Sequence, residues 1–256
     1  MTNSNLLRCH TLWIGTELPK LQACCLESFV QQGHEVVLYS YHKMEVPSGV
    51  AVRDASLILP YQPVGSLAIF SDWFRYELLA RIDGIWIDTD LVCIRPIQIA
   101  DPYIFGYETE GQINGAVLGL PQQSKILSIL RGLFPGRGFI PPWFSSTRRF
   151  RYRVKRVLGI HKGVSTLQHG STGPRALTWY ARSEGVLDKA QPTDVFYPYS
   201  YLQVMRAFDP TFDVLSVITQ RTLCIHLWQH AMASAEIHPK SLIGRVLARD
   251  FKAITR

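Results

Sequence analysis

Two carboxylates separated by a single residue, Asp88 and Asp90, follow the apolar run Ile85, Trp86 and Ile87. In an extended strand successive side chains alternate faces, so positions i and i+2 project the same way. Two acids on one side of a dry strand repel each other unless a cation or a donor network neutralises them, and oxygen ligands of this kind suit Mg²⁺ or Mn²⁺. The tripeptide also fits a plainer reading, in which one acid caps the next turn and the other is solvated; its context has to decide.

Upstream, Asp72 and Arg75 are three residues apart in Ser71, Asp72, Trp73, Phe74, Arg75, Tyr76. On a helix they share a side, which sets an acceptor for hydroxyls beside a fixed cation, a pair able to grip a sugar; an ordinary intrahelical ion pair has the same spacing. Downstream, alternation through residues 224–230 (CIHLWQH) sets His226, Trp228 and His230 on one face. A histidine there ligates a metal or meets a phosphate, or is simply a hydrogen-bonded core residue.

These groups need elements to hold them. Residues 10–15 (HTLWIG) read as a strand, Pro19 begins a helix over 21–32 that stops at Gly33, and residues 34–41 and 50–59 supply further strand-like pieces. Leu67, Phe70, Phe74, Leu78 and Ile82 recur at helical spacing before Gly84, so Asp72 and Arg75 fall on a helix. Residues 85–94 (IWIDTDLVCI) read as one buried strand with the two acids at its C-terminal end, where ligands sit in an open α/β sheet. The first hundred residues thus predict an open α/β unit with a largely parallel sheet. The 135–142 stretch (PGRGFIPP) is too short and apolar to be a linker and is expected to be a loop within one domain.

The whole chain, 256 residues with 47% hydrophobic and 18% charged, is large enough for a substantial core and excludes a disordered or low-complexity protein. No apolar run reaches membrane-spanning length and residues 1–10 do not read as a secretory signal, so the expected compartment is the cytoplasm. Five cysteines (Cys9, Cys24, Cys25, Cys93, Cys224), without a CxxC pair, argue against a disulfide framework or a zinc ribbon and for reduced, buried thiols. The net charge of +7 is concentrated: six of the nine residues 148–156 (RRFRYRVKR) are Lys or Arg, and without them the chain carries 21 basic against 20 acidic residues. One basic segment on a neutral body points to a local anionic contact, with no nucleic acid expected.

The segment FSDWFRYELLARIDGIWIDTDLVCIRPI resembles the S-D-x-x-R-Y, small-residue turn and D-x-D segment of glycosyltransferase family 32, the group with yeast-type mannosyltransferases, α-1,4-galactosyltransferase-like enzymes and capsular polysaccharide synthesis enzymes. More distantly it is similar to the glucosylating toxins. LWIG (12–15), INGAVLGLP (113–121), STGP (171–174) and CIHLW (224–228) follow in the family's order, from about residue 12 to about residue 230. The departure is Asp83, where the family usually carries the first of two glycines before the strand.

The resemblance implies one GT-A type domain over 1–256, with a donor-binding part at about 10–120 and an acceptor side at about 121–256. It implies a retaining, metal-dependent enzyme that moves a hexose from a nucleotide sugar, UDP-linked in preference to GDP-linked, to a glycan or lipid-linked saccharide, with Mn²⁺ or Mg²⁺ as cofactor. Carried onto this chain, Trp13 stacks on the base beside Ile14 and Gly15, and Asp72 and Arg75 hold ribose and sugar hydroxyls. Asp88, Asp90 and His226 form the metal site, and Trp228 packs over the phosphates. Asn114 and the turn at 172–174 face the transferred sugar and the acceptor. Asp88, Asp90 and Arg75 are the expected catalytic set; no carboxylate nucleophile is apparent, and Glu108 reads as a solvated loop acid beside the site.

In the basic segment Phe150, Val154, Val157 and Leu158 make a narrow apolar stripe on a helix, while Phe150, Tyr152 and Val154 alternating with arginines fit a strand. Such a helix suits the anionic inner face of a membrane, or is a solvated basic face. Two rival functions fit parts of the pattern. A haloacid dehalogenase-like phosphoryl transferase also opens its site with D-x-D after an apolar strand, but that motif normally begins the chain and needs a later Lys and acidic pair, and Asp250 is the single acid after Lys240. A noncatalytic basic membrane-binding module leaves the acid, Arg and His blocks unexplained.

Overall fold

Alternation along β2 (Val36–Ser40) builds two cores at once: Val36 and Leu38 enter one apolar cluster, Val37 and Tyr39 the other. β4 (Ile85–Ile87) does the same, with Ile85 and Ile87 on one side and Trp86 on the other. A sheet apolar on both faces must be covered on both. In the computed structural model, which describes residues 6–62, 64–134, 138–168, 170–229 and 236–255, α1 (Lys20–Gln31) covers the first face with Cys24, Cys25, Leu26 and Phe29. The second is covered by α2 (Leu67–Leu79) with Phe70, Phe74 and Leu78.

β1 (Cys9–Trp13) pairs in parallel with β2 and with β4, and β2 in parallel with β3 (Val50–Asp54). Two antiparallel strands, β6 (Ile104–Thr109) and β7 (Gln112–Gly119), complete an open six-stranded sheet in the order β3-β2-β1-β4-β7-β6. The architecture is the open, mostly parallel α/β sheet with helices on both faces that was expected.

Two readings change. Residues 85–94 are two strands. β4 stays in the main sheet, the chain turns at Asp88, Thr89 and Asp90, and β5 (Leu91–Cys93) leaves to pair with β8 (Cys224–His226) in a separate ribbon. β5 is held from α1, where Ser28 Oγ accepts the Cys93 N–H at 2.8 Å. Residues 146–157, which fitted either period, form α4 (Ser146–Val157), after α3 (Lys125–Arg131) and before α5 (Pro174–Ser183). All five cysteines are free and buried. No helix among the described residues is long and apolar enough to cross a membrane.

The turn before β4 tolerates Asp83. Its carbonyl lies 3.0 Å from His10 Nε2 and its Oδ1 accepts from Gln122 Nε2 at 3.0 Å. Gly84 is the fixed point: its φ is +129°, and a Cβ there would stand 2.4 Å from the Arg8 carbonyl. A left-handed backbone costs an L-residue about 1–2 kcal/mol and a forced core contact about 1–3 kcal/mol. Gly84→Ala is therefore expected to lower unfolding free energy by about 2–5 kcal/mol. Urea denaturation measures it; a loss below about 1 kcal/mol overturns this account of the turn.

Candidate functional site

The site forms where β4 ends and the chain crosses between sheets. Its wall comes from β1 (Thr11, Leu12), α2 (Ser71, Asp72, Arg75), the crossing itself (Asp88, Thr89, Asp90), β7 (Asn114), the 170–174 turn and the segment after β8 (Trp228, Gln229). Together with Trp86 and His226 these line an open cleft of about 280 Å³.

Although the strand does not persist through Asp90, the two acids still converge. One ligand atom each from Asp88, Asp90 and His226 lie within 4.8 Å of one another. Asp90, 9% exposed, sits 3.2 Å from His226 Nε2 through Oδ1 and accepts the Gln229 N–H at 2.9 Å through Oδ2. Burial opposes its charge, yet His226 and these hydrogen bonds pull the carboxyl down to about 2. Burial likewise disfavours an imidazolium at His226, and the adjacent Asp90 carboxylate outweighs it and raises the pKa. The set of two carboxylates and an imidazole, beside a buried His226 Nδ1 with no hydrogen-bond partner among the described residues, fits a divalent cation.

Arg75 is buried and holds four groups together. Its guanidinium is 3.1 Å from Asp88 Oδ1 and 3.7 Å from Asp72 Oδ1, donates to the Gly115 carbonyl at 2.6 Å, and lies 4.9 Å from the centroid of the Trp86 ring. Desolvation works against its charge, and Asp88 and Asp72 more than restore it, so its pKa is raised. The Asp72 and Arg75 pair is thus not a plain intrahelical ion pair but part of a buried network that includes the first acid of the motif. Trp86 Nε1 donates to the same Asp88 Oδ1 at 2.6 Å. A Cβ at Gly115 would stand 2.8 Å from Arg75 Nη1, which is why a glycine interrupts β7 there.

The STGP block locks α2 from the other side. Thr172 Oγ1 donates to Asp72 Oδ2 at 2.7 Å, the Thr172 carbonyl accepts from Tyr76 OH at 2.9 Å, and a Cβ on Gly173 would meet Asp72 Oδ1 at 2.9 Å. Pro174 then opens α5.

The expected strand over 224–230 ends at His226. Trp228 takes a φ of 56°, rare for a bulky residue, and packs on His226 with ring centroids 4.0 Å apart. Asp90 braces this turn, because its carbonyl accepts the Leu227 N–H at 2.9 Å while its carboxylate takes Gln229 N–H. His230 lies outside the described residues. Asn114 lines the cavity, its Oδ1 accepting the Ala116 N–H at 2.7 Å and its amide donating to Glu108. Glu108 is no solvated loop acid: it stands on β6 and accepts from the side-chain amides of both Gln112 and Asn114. It lines a second cavity of about 510 Å³ with Gln112, Arg175 and Ser200, and that cavity shares Asn114, Gly170, Pro174 and Trp228 with the first.

Trp13, Ile14 and Gly15 follow directly on Thr11 and Leu12 but do not line the cavity; the Trp13 indole donates to the Glu17 carbonyl at 2.7 Å. The functional reading of the sequence missed Trp86, Gly115, Gln229 and the role of Glu108. Trp86 was findable, two residues before Asp88 on an alternating strand, and Gly115 had the signal of a glycine inside a strand.

No family model and no curated protein matches the chain. Among solved structures it is similar to PaToxG glycosyltransferase, at 12% identity and a TM-score of 0.41 over 98% of this chain and 87% of that one.

Proposed function

We propose that this chain is a retaining, metal-dependent glycosyltransferase that moves a hexose from a nucleoside-diphosphate sugar to a glycan or lipid-linked saccharide. The observation that carries the reading is the convergence of Asp88, Asp90 and His226 beside the buried Asp72 and Arg75 pair at one strand end. Asp88, Asp90 and His226 hold the cation, and the mixed oxygen and imidazole set favours Mn²⁺ over Mg²⁺. When bound, that cation neutralises charge on the departing diphosphate.

The chain's own residues do the rest. Arg75 fixes Asp88 and Asp72, leaving Asp72 beside the cavity as an acceptor for sugar hydroxyls. Among the described residues Arg75 Nε and Trp228 Nε1 are buried N–H groups without acceptors, which suits an anionic substrate beside them. The base extends toward the end of β1, where Trp13, Ile14 and Gly15 continue from the lining residues; UDP is favoured over GDP. The larger neighbouring cavity, entered past Asn114 and Trp228, takes the acceptor. Each acid near the site is engaged: Asp72 and Asp88 with Arg75, Asp90 with His226, and Glu108 with two amides. That favours same-face transfer, in which the leaving phosphate oxygen accepts the acceptor's proton, over a carboxylate nucleophile. The phosphoryl-transfer alternative is disfavoured, since no lysine is among the described residues lining the cavity.

The test is a panel of nucleotide sugars scored by thermal stabilisation and slow hydrolysis, with Mn²⁺, with Mg²⁺ and with chelator. One donor is expected to stabilise the protein by about 2–3 kcal/mol near a hundredfold excess over its Kd, with Mn²⁺ and not with chelator. No stabilisation by any donor, or turnover of p-nitrophenyl phosphate in its place, overturns the proposal.

A further inference from the structure

The helix α4 is attached to the body by the wrong face for an ordinary surface helix. At about 100° per residue, Phe150, Val154, Val157 and the capping residue Leu158 fall on one side and Arg148, Tyr152, Lys155 and Arg156 on the other. The charged and aromatic side makes the contacts: the Arg148 guanidinium lies 3.7 Å from the Phe144 ring centroid, Tyr152 meets His161 edge-on at 5.0 Å, and Arg156 Nη1 donates to the Gly138 carbonyl at 3.3 Å. The apolar side faces outward, with Phe150 65%, Val157 85% and Leu158 65% exposed, and no residue of α4 is buried. A helix that stabilises a globular core does the reverse.

The charge around that stripe has one sign. Between Glu110 and Glu184 the sequence has twelve Lys or Arg and no acid. None of the six basic residues of α4 forms an ion pair among the described residues. Arg149, Arg151 and Arg153 flank the stripe. We propose that α4 is an interfacial helix that lies in the plane of an anionic bilayer, Phe150, Val154, Val157 and Leu158 entering the acyl boundary while the flanking arginines meet lipid phosphates. Both halves of the helix are then used: a purely polyanionic partner engages the arginines and leaves the apolar stripe wet, and a neutral apolar partner leaves the charges unmatched. The proposal is independent of the chemistry of the cavity.

Sedimentation with vesicles of phosphatidylcholine, with and without about 30 mol% phosphatidylglycerol, tests it. The parent is expected to bind the anionic vesicles, to bind neutral ones far more weakly, and to release as salt rises from about 0.1 to about 0.5 M. Changing Arg149, Arg151 and Arg153 together to Gln is expected to weaken binding about a hundredfold. Phe150→Ser with Val157→Ser is expected to weaken it at least tenfold with the charge unchanged. These side chains are solvent-facing, so both variants keep the parent's thermal midpoint and donor hydrolysis. Equal binding to neutral and anionic vesicles, no vesicle binding, or full binding without the apolar pair overturns the proposal. So does a parent that is dimeric in solution, binds no vesicles and becomes monomeric in the Ser variant, which assigns the stripe to a second copy of the chain.

Discussion

Asp90→Asn is expected to lower metal-dependent donor turnover by about 10²–10³-fold or more, the scale on which loss of charge stabilisation at a leaving group is felt. Asn retains an oxygen for the Gln229 N–H, so the variant stays folded, and near-parent circular dichroism with lost activity is the expected combination. Asp90→Ala is a poorer probe, because it strands the half-buried Gln229 N–H and the buried His226 and costs about 1–3 kcal/mol of stability. Turnover by Asp90→Asn equal to the parent's, or parent activity undiminished by chelator, removes the metal site from the mechanism.

The second large effect lies at Arg75. Arg75→Met removes the cation between Asp72 and Asp88, both within 4 Å of it, and breaking a buried pair from one side costs about 3–5 kcal/mol. Activity falls with it. The double change Arg75→Met with Asp88→Asn is expected to recover part of the stability but none of the turnover, since it neutralises Asp88 and still leaves the buried Asp72 carboxylate without its cation. Arg75→Lys keeps the charge, yet an ammonium cannot span Asp88, Asp72 and the Gly115 carbonyl as the planar fork does. Its signature is weakened donor use with stability closer to the parent's. If Arg75→Met unfolds at the parent's urea midpoint, the network has no structural weight; if Arg75→Lys keeps the parent's donor kinetics, its geometry does not serve the donor.

Much of this arrangement was legible beforehand. The spacing of Phe70, Phe74 and Leu78 marks α2, and the apolar approach to Asp88 marks the strand end. These are local periodicities dictated by burial. What was hidden is set by tertiary contacts. β7 contains Asn114, Gly115 and Gly119, poor strand formers, and it is a strand because Gly115 makes room for Arg75 and Gly119 for Ile104 and Ile85. The break between β4 and β5 was equally invisible, since both halves are apolar and nothing in residues 85–94 records that the second half pairs with β8, more than a hundred residues away. The period of residues 145–160 stayed open for a related reason, because its apolar stripe covers no core.

The turn that forces Trp228 to positive φ closes on Asp90 from both sides, with one N–H on the carbonyl and another on the carboxylate. Whatever draws on that carboxylate also alters the free energy of holding Trp228 in place. Reciprocity then requires that a molecule resting against Trp228 change affinity at Asp90 by the same factor, typically about 5- to 150-fold for couplings of this kind. Under the proposed function, cation and donor occupancy are then one linked equilibrium, coupled through the hydrogen bonds of a single side chain without any separate moving gate.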